Sequence, residues 1–146
     1  MRETDSISRL EYQLANLART LEAINRRRKY PLERAHYLLL LHLRKGALSV
    51  GELAAKLALD NSTVTRQLNA MEKRGLIIKR PNPADGRSAL IERTKEGCQL
   101  AEAMHDQRTQ RIERMLENWT QEDIETCSKL TARLTDALNR SMDEPD

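Results

Sequence analysis

Hydrogen-bonding side chains crowd one side of a predicted helix over residues 61–74. Val64, Leu68 and Met71 fall within about 60° of one another at 100° per residue, so they mark the side that faces the core. Hydroxyl, amide and cationic groups cover the remaining surface: Asn61, Ser62, Thr63, Thr65, Arg66, Asn69 and Lys73. Such groups can hydrogen-bond base edges in a DNA major groove, and a lysine near the helix end can meet phosphate. The competing interpretation is an ordinary solvated helix surface, and the shortage of acidic residues on this face counts against it.

A basic, turn-rich segment follows this helix and predicts a β-hairpin. Residues 76–80 and 89–93 are β-rich runs, and the turn residues between them end in Asp-Gly, a strong hairpin signal. Arg87 is expected at or near the tip, with Asp85 placed to orient its guanidinium group. The negative potential of a narrow minor groove attracts an inserted arginine. A hairpin directly after a groove-reading helix is a wing.

Capping signals ahead of the wing predict a helix-turn-helix. Ser49 and Glu52 have the spacing of a capping box, which starts a short helix. After a tight turn, Asp60 or Asn61 caps the second helix and Gly75 ends it. Two short helices joined in this way are typical of DNA-binding helix-turn-helix motifs.

An apolar helix precedes this motif. Pro31 is expected at its first position, and the four leucines at residues 38–41 are expected to be buried on all sides. His36 and His42 are six residues apart, so they lie on opposite sides of the helix and cannot share a metal ion. Both are interpreted as packing or surface residues.

Regular apolar seams mark both ends of the chain. Residues 5–25, with Asp5 or Ser6 as cap, have apolar spacing of 3-4-3-4-3, and a similar seam follows a Thr120 cap. A narrow seam requires a helical partner, either in its own domain or in a second subunit. The similarity of the two seams favours the second subunit. The residues expected at a dimer interface are Ile7, Leu10, Leu14, Leu17, Ile124, Leu134 and Leu138.

These elements predict a mainly α fold with a small β-hairpin wing. Residues 31–94 are expected to form a winged helix-turn-helix lobe. The N- and C-terminal helices, residues 1–30 and 95–146, are expected to form a dimerisation domain. Thr94 can cap the long helix that begins at Lys95, the first helix of the 95–146 range.

The distribution of charge agrees with a polyanion partner. The 146 residues make one ordinary domain with a net charge of +3, yet residues 61–95 sum to +5 and residues 96–146 to −6. A basic module on an acidic helical scaffold suits nucleic acid. The polar N-terminus and the absence of an apolar run of ~18 residues predict a cytosolic protein that does not enter a membrane.

Metal and enzyme chemistry find no support in the sequence. Cys98 and Cys127 lie in no CxxC or His-interleaved pattern, so we expect no metal site and no cofactor. We find no nucleophile–base constellation, no phosphate-cradling glycine loop and no paired catalytic carboxylates, so an enzyme is not predicted.

The chain resembles the MarR (multiple antibiotic resistance regulator) family over nearly its whole length. The most specific segments are TVTR-x-L at residues 63–68 and MEKRGLI at residues 71–77. The wing pattern Asp85-x-Arg87 and a Thr94-x-x-Gly97 segment follow at the expected spacing.

This resemblance implies an obligate homodimer held by its N- and C-terminal helices, with one recognition helix for each half of a pseudo-palindromic double-stranded DNA site. It implies that Arg87 enters the minor groove. Many members are repressors released by small anionic aromatic ligands, and others by cysteine oxidation. The peroxide-sensing branch carries its reactive cysteine near the N-terminus, where this chain has none, so Cys98 and Cys127 are interpreted as small apolar helix residues.

One residue departs from the family pattern. In the family an aliphatic residue usually precedes the Thr of the Thr-x-x-Gly segment. In this chain that Thr is Thr94, and the residue before it is Arg93. Its guanidinium could reach a phosphate or an effector anion, or its stem could pack while its head reaches water. The function predicted is a sequence-specific, homodimeric transcriptional repressor whose binding to DNA is relieved by a small-molecule effector. The alternative is a winged-helix protein-interaction module without specific DNA binding.

Overall fold

A computed structural model describes residues 3–145 and confirms a mainly α fold with a wing. The elements in chain order are α1 (Glu3–Arg27), α2 (Arg34–His42), β1 (Leu48–Ser49), α3 (Val50–Leu57), α4 (Asn61–Lys73), β2 (Ile77–Asn82), β3 (Asp85–Arg93), α5 (Lys95–Met115) and α6 (Gln121–Ser141). The chain divides into two compact units, residues 1–31 and residues 32–146.

The three strands form one antiparallel sheet in the order β1-β3-β2. Leu48 of β1 lies opposite Ile91 of β3, and Ile77 of β2 lies opposite Arg93. Strand β1 was not predicted from the sequence. It has only two residues, and pairing with β3 rather than any local propensity defines it.

The turn at the tip of the wing lies within the turn-rich run of residues 81–86 and is shorter than that run. Asn82 pairs with Asp85, so the turn residues are Pro83 and Ala84, and the Asp-Gly pair already belongs to β3. The Asn82 side chain defines this turn, because its Oδ1 accepts a hydrogen bond from the Ala84 backbone N–H at 3.0 Å. A proline after asparagine fixes the next φ and favours the same turn.

The helix-turn-helix forms as predicted. Ser49 Oγ accepts from the Glu52 N–H at 3.1 Å, and Glu52 Oε1 accepts from the Ser49 N–H at 3.2 Å, which completes the capping box of α3. Ala58 ends α3 in the left-handed region with φ 53°, and Asp60 caps α4. The tight turn between the two helices depends on that left-handed residue.

The core lies between α2, the helix-turn-helix, the sheet and the first half of α5. Helix α2 begins at Arg34 with Glu33 as N-cap, so Pro31 does not open it as predicted. Only two of its four consecutive leucines are fully buried. Leu38 is 37% exposed and Leu41 is half-buried, because a helix on the surface of a small lobe buries one side only. The largest buried side chains are Leu39, Leu40, Leu53, Leu68, Met71, Leu76, Ile77, Ile91, Met104 and Val64.

Thr94 joins the wing to α5, as the Thr94-x-x-Gly97 segment suggested. Its Oγ1 accepts from the Gly97 N–H at 3.0 Å and donates to the Gly75 carbonyl at 2.6 Å. Its own N–H donates to the Leu76 carbonyl at 3.1 Å. Gly97 is buried against the backbone of Leu76, directly before β2, and a Cβ there would lie 2.1 Å from Leu76 O. Only glycine permits so close an approach.

Arg93 forms an ion pair within its own chain. Its side chain is 14% exposed, and Nη1 lies 3.3 Å from Glu102 Oε1 of α5. Arg44, after α2, binds the same carboxylate through Nε at 2.8 Å and Nη2 at 2.7 Å. These bonds, led by those from Arg44, lower the pKa of Glu102 to about 2. The arginine at the unusual position therefore ties β3 to α5.

Helices α1 and α6 each carry exposed apolar side chains. Helix α1 begins at Glu3, so Asp5 and Ser6 lie inside it and neither is its N-cap. In α6 no residue is buried, although Thr120 and Asp123 form a capping box at its start.

Cys98 is half-buried and Cys127 is exposed, so Cys127 is not a packed apolar residue within this chain. Among the described residues, no helix is long and apolar enough to cross a membrane.

Candidate nucleic-acid interface

Helix α4 is fixed to the lobe along one side and open along the other. Val64, Leu68 and Met71 are each 0% exposed, as predicted. At the N-terminus Asp60 Oδ1 accepts from the Thr63 N–H at 2.6 Å and from Ser62 Oγ at 2.7 Å. These bonds, the Thr63 backbone bond first, lower the pKa of Asp60 to about 2. The cap is thus anionic at any physiological pH and fixes the start of the helix.

The outer face of α4 brings most of the predicted reading residues together. An open groove of about 660 Å³ is lined by Asn61, Ser62, Thr65, Arg66, Asn69, Ala70 and Lys73. Thr63 is half-buried, and its backbone N–H belongs to the Asp60 cap. Since the Ser62 hydroxyl donates to Asp60, its remaining capacity is as an acceptor. The groove therefore presents a guanidinium, an ammonium, hydroxyls and two amides on one surface.

A buried histidine links α4 to α2. His36 is 3% exposed, and its Nδ1 lies 3.3 Å from Arg74 Nη1 at the end of α4. A guanidinium group can only donate, so Nδ1 accepts and Nε2 carries the ring hydrogen. That Nε2–H donates to Gln67 Oε1 at 3.0 Å. The sequence left His36 as a packing or surface residue and carried no signal that it holds Gln67 of α4 and Arg74 directly after it.

Strand β2 also reaches the outer face of α4. Lys79 Nζ donates to Asn69 Oδ1 at 2.5 Å and lies 3.7 Å from Glu72 Oε1. This contact could not be predicted from the sequence, because nothing in the local pattern places a strand residue beside a helix residue ten positions earlier. The amide of Asn69 is therefore already engaged on one side.

The wing carries Arg87 in an exposed position close to its tip. Asp85 Oδ1 accepts from the Arg87 backbone N–H at 3.0 Å, so its carboxylate positions the backbone of Arg87, whereas the sequence suggested its guanidinium. Asn82 Nδ2 donates to Ser88 Oγ at 3.0 Å across the hairpin. Farther down, Arg80 and Glu92 form an ion pair of 3.1 Å between the strands. The tip is held by its own short side chains.

Metal binding has no candidate in the described part of the chain, where no group of three or more His, Cys, Asp or Glu side chains could hold an ion. An exposed helix of polar side chains beside a basic hairpin is suited to a ligand that is long, grooved and anionic. The fold and this surface together define a winged helix-turn-helix protein.

Comparison with known proteins identifies the family. The model described as MarR family matches residues 30–88. The HTH-type transcriptional regulator YxaD of Bacillus subtilis (strain 168) is 36% identical over 141 residues, which cover 94% of this chain and 99% of YxaD. The chain belongs to the MarR family of transcriptional regulators.

Solved structures agree with this assignment at the level of the fold. A mutant MarR from E. coli complexed with operator DNA has a TM-score of 0.72 at 21% identity, covering 92% of this chain and 99% of that one. The PcaV transcriptional regulator from Streptomyces coelicolor, in complex with its natural ligand, has a TM-score of 0.71 at 23% identity, covering 85% and 92%.

Proposed function

We propose that this protein is a homodimeric, sequence-specific transcriptional repressor that binds double-stranded DNA and is released by a small-molecule effector. The observation that carries the proposal is the outer face of α4. It combines Arg66, Asn69 and Lys73 in one open groove, and α4 is fixed by its cap, its core contacts and His36. A rigid helix with exposed donors is what major-groove reading requires.

In this proposal each part of the interface has a role. Arg66 and Asn69 read base edges, assisted by Asn61, Ser62, Thr63 and Thr65. Lys73, near the helix end, meets phosphate. Arg87 enters the minor groove from the wing, and Asp85 fixes its backbone.

A second copy of the chain completes the proposed site. Residues 1–30 and 95–146 would form the dimerisation region, and residues 31–94 would form the DNA-binding lobe. Exposed apolar side chains on α1 and α6 support this, since Ile7 is 66% exposed and Leu138 is 52% exposed. Leu10 and Leu17 are also exposed, Ile124 lies at 36%, and Leu14 and Leu134 are half-buried. Two lobes would then bind half-sites about 34–36 Å apart on a pseudo-palindromic operator.

The E. coli neighbour in complex with operator DNA and the PcaV neighbour in complex with its natural ligand support the two binding steps by analogy of fold. We propose a small anionic aromatic compound as the effector. We also propose a cytoplasmic location.

Selection of bound sequences from random double-stranded DNA tests the proposal. We expect a pseudo-palindromic consensus, and log K for that site should fall linearly with log salt concentration because bound cations are released from the phosphates. A flat salt dependence and no consensus would instead support a protein-interaction module. Repeating the selection with aromatic acids should identify an effector as a compound that abolishes binding.

A further inference from the structure

The contact between Lys79 and Asn69 crosses from the wing to the reading face. Lys79 lies on β2, and its ammonium group donates to Asn69 Oδ1 while lying 3.7 Å from the Glu72 carboxylate. The Lys79 side chain is only 29% exposed, whereas Glu72 is 48% exposed. Asn69 lines the open groove of α4 together with Arg66 and Lys73.

The chemistry of this contact fixes which end of the Asn69 amide is engaged. A lysine ammonium group has donors and no acceptor, so only the amide oxygen can face it. The amide NH₂ group of Asn69 is then the end left for a ligand. The Glu72 carboxylate, three residues after Asn69 on α4, attracts the same ammonium group. This attraction favours the position of Lys79 beside Asn69.

An asparagine restricted in this way reads bases differently from a free one. Asparagine recognises adenine by accepting from N6–H₂ and donating to N7, which needs both ends of the amide. Lys79 takes one of the two lone pairs of Oδ1 and places a positive charge beside the other, so a second donor such as adenine N6–H₂ is disfavoured there and donation from the NH₂ group is favoured. Guanine presents two acceptors in the major groove, O6 and N7, whereas cytosine presents the N4–H₂ donor. The NH₂ group therefore matches guanine and is mismatched with cytosine.

We propose that Lys79 is a specificity-determining residue that acts through Asn69. It holds the amide as a donor, so that the base opposite Asn69 is selected for acceptor groups, guanine above all, and adenine loses its usual two-bond advantage. This proposal rests on the proposed DNA-binding function, and it assigns to Lys79 a positioning role rather than a base contact.

The test uses the full-length protein and the consensus found by selection. Affinities are measured at one fixed salt concentration for all four bases at each half-site position, with wild type, Asn69→Ala, Lys79→Met and the double variant. The position at which Asn69→Ala removes the base preference is the one that Asn69 reads. There, we expect Lys79→Met to raise the ratio of adenine to guanine affinity about tenfold, since one bidentate contact is worth roughly 1–3 kcal/mol. In the double variant the Lys79 effect should vanish.

Arg80→Met is the matched control. It removes the same charge from the adjacent residue of β2, where Arg80 pairs with Glu92. We expect this control to leave the adenine-to-guanine ratio at the Asn69 position as in wild type. Thermal unfolding of each variant establishes that the lobe remains folded at the assay temperature.

Two results would overturn the proposal, and they differ from each other. If Lys79→Met weakens all operators equally and lowers the salt slope by about one, Lys79 is a phosphate contact and not a specificity residue. If wild type itself selects no sequence, the DNA-binding function fails and the role of Lys79 fails with it. As an independent check on the free protein, the side-chain amide NMR signals of Asn69 should shift in Lys79→Met and stay in place in Arg80→Met.

Discussion

Single side chains at the wing tip decide how the protein would reach the minor groove. Arg87 is exposed, and Asp85 holds its backbone N–H at 3.0 Å. We expect Arg87→Ala to weaken operator binding by about 1–3 kcal/mol, with the largest effect at AT-rich positions, because the narrow minor groove there attracts the guanidinium most strongly. Fluorescence anisotropy at fixed salt measures this. Equal affinity of the variant and wild type would refute the role of Arg87.

Gly97 is the residue at which the smallest added side chain should matter most. A Cβ at this position would lie 2.1 Å from Leu76 O, so the backbone at Leu76 and helix α5 must separate. We expect Gly97→Ala to reduce the free energy of unfolding by about 1–3 kcal/mol, as overpacking does. Urea denaturation measures the loss.

The control for this substitution is Gly51→Ala in α3. A Cβ there meets only Ser49 Oγ, at 3.9 Å. Alanine is favoured over glycine in a helix, so the control should be neutral or more stable by up to about 1 kcal/mol. Similar losses in both variants would mean that the close approach at Gly97 is not the cause.

At the scale of elements, His36 connects α2 to α4 through Gln67 and Arg74. We expect His36→Phe to keep the volume of the ring but to lose both hydrogen bonds, at a cost of about 1–3 kcal/mol in unfolding free energy. Operator affinity should fall as well, because α4 loses a support. The control is His42→Phe, on the same helix and half-buried, which takes no part in these contacts. The prediction fails if both variants are equally stable.

The Arg44–Glu102–Arg93 cluster joins α2, β3 and α5. Because the pKa of Glu102 in the folded protein is lowered to about 2, its contribution to stability is present above the ordinary carboxyl pKa of 4.5 and lost as pH falls toward 2. We therefore expect wild type to have a higher Tm than Glu102→Gln at pH 7, with the difference narrowing below about pH 4.5. A constant difference between pH 7 and pH 3 would contradict this.

Local signals predicted the helices better than they predicted the contacts between elements. Caps at Ser49, Asp60, Thr94 and Thr120 start four helices as expected, because each cap depends on residues within one turn. Strand β1 has no such local signal, since pairing with β3 creates it.

In the candidate site, too, the features that depend on local spacing were predictable, and the contacts between elements were not. Helical periodicity identified the outer face of α4, because it depends on spacing alone. The contacts of His36 and Lys79 join residues from separate elements, so only the fold brings them together. Arg93 differed from the family pattern, but its partner Glu102 became apparent only in the structure.

At the scale of the whole molecule, the apolar surface of α6 predicts association. No residue of α6 is buried, and Leu138 is 52% exposed. In a symmetric dimer each substitution acts twice. We expect Leu138→Asp to be largely monomeric at concentrations where wild type is dimeric, because each leucine buried would contribute roughly 1.5–3 kcal/mol.

Sedimentation over a range of concentrations measures this change. The control is Leu59→Asp, which alters a leucine of similar exposure, 45%, in the turn of the helix-turn-helix. We expect the control to associate as wild type does. A monomeric wild type would remove the basis for two reading helices on one operator.

The three hydrogen bonds of Thr94 have a mechanical consequence. They connect Gly75, two residues after α4, Leu76, directly before β2, and Gly97, in the first turn of α5. Helix α5 has 21 residues and is about 31 Å long. A displacement of its far end would therefore turn the helix about the residues that Thr94 joins. A tilt of a few degrees at the far end would rotate the reading helix and the wing together. Under the proposed function, an event that shifts that end would change the angle at which both meet DNA.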